Sequence, residues 1–237
     1  MKKIPSILIL VVFINLSCTQ QQFSQSLGDL LGGGEPTTEE VGSGLKEALI
    51  QGITKGSDKA SALDGYFKNP KIKIPFPPET QKVANTLRDI GLGAQVDEFV
   101  MTLNRGAEEA AKEAKPVFVS AIKSMTIEDA WNILRGDNDA ATQYLKRTTS
   151  TQLREKFQPI VHSALEKVSA TKHYSDLVSR YNKIPFVKKA DPDLDSYATE
   201  KAIDGLFVLI AEEELKIRKD PVARTTALLK KVFSQID

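Results

Sequence analysis

Two carboxylates and two guanidinium groups near the C-terminus are the side chains best placed to do chemistry. In the helix that residue spacing predicts over Asp193–Arg218, an apolar stripe runs through Ile203, Leu206, Phe207 and Ile210. The next two positions on that stripe are Glu213 and Glu214, and Ile217 then resumes it. A carboxylate carried toward a core must find a partner or keep its proton. Arg218, Arg224 and Arg105 are the candidate partners, and Glu214 and Arg218 stand four residues apart in the favourable order. Two readings follow. In one, the charges form a buried salt-bridge network that pins the last two helices together, contributing specificity more than net stability. In the other, they floor a cleft where Glu213 holds or protonates a ligand and Arg224 fixes its anionic end. Asn104 and Glu108, one turn apart on a different helix, would then form the facing wall. The second reading would be acid–base chemistry, and its signature is a pair of acidic groups in an open cleft with raised pKa.

Other chemistry has less support. Cys18 is the only cysteine and lies beside an apolar leader, so it is neither a catalytic thiol of the domain nor half of a disulfide. The two histidines, His162 and His173, fall in no His-Glu-x-x-His or Glu-x-x-His arrangement that would put metal ligands on one helix face. His162, between Val161 and Ala164, reads as a satisfied, partly buried side chain. Asp137-Asn138-Asp139 lacks the glycine and distal glutamate of a calcium loop and reads as a helix cap. Gly91-Leu92-Gly93 is followed by no Lys-Ser or Lys-Thr, so it stops one helix and starts the next rather than cradling phosphate; no Gly-x-Ser-x-Gly elbow is present. No cofactor or metal is expected.

The elements that must position these groups are helical. Ile127, Ala130, Trp131 and Leu134 follow the helical spacing, and Leu153, Phe157, Ile160, Val161, Ala164, Leu165 and Val168 carry it through four turns. Val96 to Met125 reads as one longer helix kinked at Pro116, with an alanine-rich middle suited to close helix contact. Val222, Thr225, Thr226, Leu229, Val232 and Phe233 describe a final helix. Thr126 before Ile127-Glu128-Asp129 is a capping-box start, Gly136 a stop, and Asp220-Pro221 a cap before an N-terminal proline. Core packing accounts for Trp131 better than a contact role does. The expected fold is an all-α, single-domain, multi-helix bundle. One short two-stranded β element stays open, because Lys73-Ile74-Pro75-Phe76 is echoed by Lys183-Ile184-Pro185-Phe186 and the first copy has strand-like alternation.

At the N-terminus, Met1-Lys2-Lys3 is a basic head and Ile7 to Ile14 an apolar run, which together have the form of a secretory signal over residues 1–17. The run is too short to span a bilayer, which takes about 20 residues. Asn15-Leu16-Ser17-Cys18 resembles a bacterial lipobox with Asn15 where leucine is usual, so Cys18 is the expected lipidation site. A cleaved leader with a free thiol is the alternative. Residues 18–38, rich in Gln, Ser, Gly and Thr, read as a flexible tether, and residues 39–237 as the helical domain. Thr19 supplies no acidic retention mark, which points to the outer membrane.

Basic and acidic residues nearly balance, 32 against 31, and fall to 30 against 31 without Lys2 and Lys3. No basic surplus or stripe suggests a nucleic-acid partner, and no Lys/Arg cluster an anionic membrane. Hydrophobic content of 41% and charged content of 27% are ordinary for a globular chain.

A set of phrases adds a resemblance. Ile72-Lys73-Ile74-Pro75, Leu103-Asn104-Arg105-Gly106-Ala107-Glu108, Met125-Thr126-Ile127-Glu128-Asp129-Ala130, Ala140-Ala141-Thr142-Gln143-Tyr144-Leu145, Asp204-Gly205-Leu206-Phe207 and Arg218 to Thr226 occur together. From roughly Gly44 to Phe233 the chain resembles the bacterial envelope family known as domain of unknown function 4197. The resemblance implies an exported, mostly helical bacterial protein, often with a lipoprotein signal, and brings no activity, ligand or catalytic residue. The expected function is a non-enzymatic binding or interaction module, using a groove between helices for a small molecule, peptide or envelope protein, held at the membrane by the lipid on Cys18. An envelope enzyme using the carboxylate and arginine groups, and a purely structural protein, are the alternatives.

Overall fold

The computed structural model describes residues 36–234 apart from Ile90, Val168, Ile184, Val187, Lys188 and Pro192, without the side chains of Leu177, Arg180 and Tyr181. The leader, Cys18 and the tether through Glu35 lie outside the described residues. Among the described residues there are nine α-helices: α1 (Thr38–Ser61), α2 (Gln81–Asp89), α3 (Gly93–Ala111), α4 (Ala114–Ser124), α5 (Ile127–Arg135), α6 (Ala140–Glu166), α7 (Ala170–Tyr181), α8 (Leu194–Lys219) and α9 (Ala227–Phe233). Short 3₁₀ turns at Pro78–Thr80 and Pro221–Ala223 precede α2 and α9. Among the described residues there is no strand, and no helix is long and apolar enough to cross a membrane.

Local chemistry starts these helices where it should. Thr37 and Thr126 each accept a backbone N–H three residues on, from Glu40 and Asp129, whose carboxylates accept the threonine N–H in return. Gly136 closes α5, and Asp193 and Thr226 cap α8 and α9. The long helices α1, α3, α6 and α8 pack into one core that includes Leu45, Ile53, Leu103, Phe118, Leu145, Phe157, Leu165 and Leu206. Small residues set the spacing: a Cβ on Gly106 would stand 3.3 Å from the Ala164 methyl on α6, and one on Gly205 only 2.7 Å from the Tyr66 ring. Two helices are peripheral. Helix α2 packs on α3 and its own 3₁₀ turn, and α7 on α6 and α8. Each adjoins a left-handed residue, Gly91 (φ 87°) after α2 and Ser169 (φ 53°) before α7.

Four expectations change. Lys73–Phe76 forms no ladder, because the Asn104 side chain occupies both backbone groups of Ile74 and Pro75 has no N–H to offer. The echo at Lys183–Phe186 includes Ile184, which lies outside the described residues. The predicted helix over Val96–Met125 is two helices rather than one kinked helix. It breaks at Lys112-Glu113, which places Pro116 in the first turn of α4, where a missing N–H costs nothing. The final helix starts at Ala227, leaving Val222 exposed in the preceding 3₁₀ turn. Ile127, placed on the core stripe by spacing, is 48% exposed because it is the first residue of α5.

Candidate functional site

The charged residues singled out by spacing are buried apart from Arg105, which is partly exposed, and they form two separate sets. In the first, Glu214 and Arg218 pair on α8, Nε to Oε1, at 3.0 Å. The Glu214 carboxylate also accepts the N–H groups of Ala141 (3.0 Å) and Thr142 (2.8 Å) and the Thr142 hydroxyl (2.7 Å). Those amides belong to the first turn of α6, which has no intrahelical acceptors for them. Arg218 donates to the carbonyls of Ile133 (2.7 Å) and Leu134 (3.2 Å) at the C-terminal end of α5. Arg224 donates to the carbonyls of Ile217 and Arg218, closing the end of α8, and lies 5.5 Å from the Phe233 ring. Glu213 receives Lys59 at 2.5 Å and Lys216 at 2.7 Å. Burial pushes its carboxyl upward, but the Lys216 and Lys59 ammonium groups outweigh that and hold it below its usual range.

The second set ties a loop to α3. Glu108 accepts the N–H groups of Tyr66 and Phe67, both at 3.1 Å, and pairs with Arg105 at 2.5 Å; Arg105 also holds Asp64 at 2.7 Å. Asp64 sits at φ 67°, and the pairing with Lys68 and Arg105 holds its carboxyl below the ordinary range. Asn104 accepts from Ile74 N–H and donates to Ile74 and Val100 carbonyls. Asn104 and Glu108 therefore face the Asp64–Ile74 loop, not Glu213 and Arg224. The predicted cleft floor and its facing wall are two separate interfaces: Glu214, Arg218, Asn104 and Glu108 are engaged by backbone, Glu213 by two ammonium groups, and Glu214 and Arg218 border only a small cavity of about 20 Å³. His162, which spacing placed half inside, is 44% exposed at its side chain and bridges Asp195 (2.5 Å) and Glu166 (3.2 Å). Trp131 is partly buried against the core, with Arg135 stacked 4.4 Å from its ring.

The open concavity lies elsewhere. Between α2, α3 and the start of α7 is a groove of about 530 Å³, walled by Phe76, Leu87, Val96, Phe99, Ala170 and Tyr174. Phe76 and Phe99 meet at 4.8 Å between ring centroids, and Tyr174 lies 6.3 Å from each. The Tyr174 hydroxyl is engaged by Thr80, so only its ring serves as wall, and burial pushes its phenol upward. Gln95, Glu98 and His173 supply the only polar side chains of the lining. Spacing assigns Val96 and Phe99 to core, and Val96 is buried and Phe99 partly buried against it; periodicity does not show that they also border a concavity. The one local signal is the proline-rich run Asn69–Pro78, which cannot continue a helix and carries the Phe76 ring to a helix flank.

Fold and site together define an all-helical domain whose buried charges knit helix ends and which carries a mainly apolar groove between α2, α3 and α7. Across residues 35–234 the chain matches the model of a family described as protein of unknown function (DUF4197), and it belongs to that family. No curated protein and no solved structure matches it.

Proposed function

We propose that this protein is a non-enzymatic binding module, exported and held at a bacterial envelope membrane, the outer one, by a lipid on Cys18, and that its binding site is the groove between α2, α3 and α7. The observation that carries the reading is the groove itself. Its volume lies in the range of small-molecule sites, roughly 300 to 1,000 Å³, and its walls are predominantly aromatic and aliphatic with a few polar groups. The saturation of Glu213, Glu214, Arg218, Asn104 and Glu108 by ammonium groups and backbone argues in the same direction, since acid–base chemistry needs a group free to exchange protons with a substrate. The leader and Asn15-Leu16-Ser17-Cys18 support the anchor.

The test is native mass spectrometry of the protein purified gently from its own envelope, and again after denaturation and refolding. The expected result is a defined extra mass in the first sample that refolding removes, together with an acylated N-terminal peptide beginning at Cys18. A bare mass in both samples and an unmodified Cys18 would overturn the reading.

A further inference from the structure

The polar rim of the groove selects what enters it. Gln95 and Glu98 lie on one side, three residues apart on α3, and His173 lies opposite on α7. The Glu98 carboxylate has no hydrogen-bond or ion-pair partner among the described residues; only its backbone carbonyl is engaged, by the Thr102 hydroxyl. Its neighbour Asp97 contrasts with it, being paired at 2.5 Å to Arg88, the one arginine of α2. No lysine or arginine stands among the described residues of the lining. A ligand carboxylate would thus meet the Glu98 carboxylate with no basic side chain but the His173 imidazole among the described residues of the lining.

We infer that the groove takes a hydrophobic molecule whose polar end is a hydrogen-bond donor, best a protonated amine, and discriminates against the corresponding carboxylate. This rests on the reading of the groove as the binding site. The alkyl or aryl body lies against Leu87 and Phe99, which are only partly buried, and against the remaining exposed edges of Phe76, Val96 and Tyr174, where it replaces water. The head stays at the rim beside Glu98 and Gln95, where an ammonium donates to the free carboxylate while remaining partly solvated. A neutral alcohol keeps one donated hydrogen bond and loses the charge attraction. An anionic head loses both.

The experiment is calorimetric titration of the whole protein, at pH 8 and moderate salt, with decylamine, decanol and decanoate, each below its micellar concentration. The three share one apolar body and differ only in the head. Affinities are expected in that order, with the amine roughly five- to tenfold tighter than the carboxylate, the size of a partly exposed ion pair plus a like-charge penalty. Glu98→Gln is expected to bring amine and carboxylate within about twofold while leaving decanol unchanged; the side chain is exposed, so the fold tolerates the change. Phe99→Ala is expected to weaken all three about tenfold, since it removes a wall and no charge. Equal affinities, or decanoate the tightest, would overturn the head-group inference and leave the groove reading standing. No binding of any of the three would overturn the groove reading itself.

Discussion

Glu214 and Arg218, one turn apart on α8 and bonded to each other, terminate two different helices: the carboxylate receives the first amides of α6, and the guanidinium covers the last carbonyls of α5. Each charge thus meets the complementary end of a helix dipole. The turn between α5 and α6 is thereby fixed to α8 without a disulfide or metal. Because both groups are buried, removing one leaves the other uncompensated. Glu214→Leu and Arg218→Met are each expected to destabilise the protein by about 3–5 kcal/mol, and the double variant by clearly less than the sum of the two. Urea unfolding of the four proteins measures this; strict additivity would mean that the two residues act independently.

Asn104 links the core to the groove. Its amide holds both backbone groups of Ile74, two residues before the groove wall Phe76. Asn104→Leu strands those groups, while the Val100 carbonyl that the amide also serves keeps its helical N–H partner. The expected loss is about 1–3 kcal/mol, with faster hydrogen exchange at the Ile74 amide and weaker binding of any ligand in the groove. An Ile74 amide that stays protected in the variant would show that the loop is held by other contacts.

Which of these relationships were legible in the sequence depends on their range. The Thr126–Asp129 capping box spans three residues, and residue types alone declare it. The placement of Glu213 and Glu214 on an apolar stripe is also a local fact, and both side chains are buried, at 4% and 7% exposure. Their partners were not legible in full. Arg218 is one turn from Glu214, whereas Lys59 reaches Glu213 from 154 residues away on α1. Arg105 was weighed as a partner for these carboxylates and instead serves Glu108 and Asp64, because the Asp64–Ile74 loop docks on α3. Pro116 marked a disturbance but not its form. A proline interrupts a helix equally well by kinking it or by starting a new one, and here the helix breaks at Lys112-Glu113, before Pro116, which falls in the first turn of α4. The groove was out of reach, since it exists only where α2 and α7 leave the flank of α3 uncovered.

Glycine positions give a paired test of close packing. A methyl group on Gly205 would lie 2.7 Å from Tyr66 Cε1 and 3.1 Å from Ile72 Cβ. Tyr66 has little room to withdraw, being fully buried with its hydroxyl donating to the Ala202 carbonyl. Gly205→Ala is therefore expected to destabilise by about 1–3 kcal/mol, despite the better helix propensity of alanine. At Gly42 the nearest atom to a new methyl is Ile127 Cγ1 at 3.9 Å, an ordinary contact. Gly42→Ala is expected to stabilise by up to about 1 kcal/mol. Thermal melts of the two variants should move in opposite directions, and movement in the same direction would contradict the close approach of Tyr66 to α8.

The dependence of stability on pH should have two limbs with separate owners. His162 on α6 faces Asp195 of α8 and Glu166 of its own helix, and Asp195 in turn accepts the Thr171 hydroxyl of α7. The hydrogen bond and charge of Asp195 hold the imidazole pKa above its ordinary 6.5. A raised folded-state pKa contributes stability that is fully present below the unfolded value and is lost as pH rises through the folded one. His162 thus supports the α6–α7–α8 junction below neutrality and progressively less above it. Glu213 has the opposite sign. Its pKa is held below the ordinary 4.5, so its contribution is present above that value and lost as pH falls through the folded one. Chemical unfolding from pH 4 to 9 should show His162→Gln flattening the alkaline limb and Glu213→Gln the acidic limb. A His162→Gln profile parallel to that of the unaltered protein would mean that the histidine titrates alike in folded and unfolded chains.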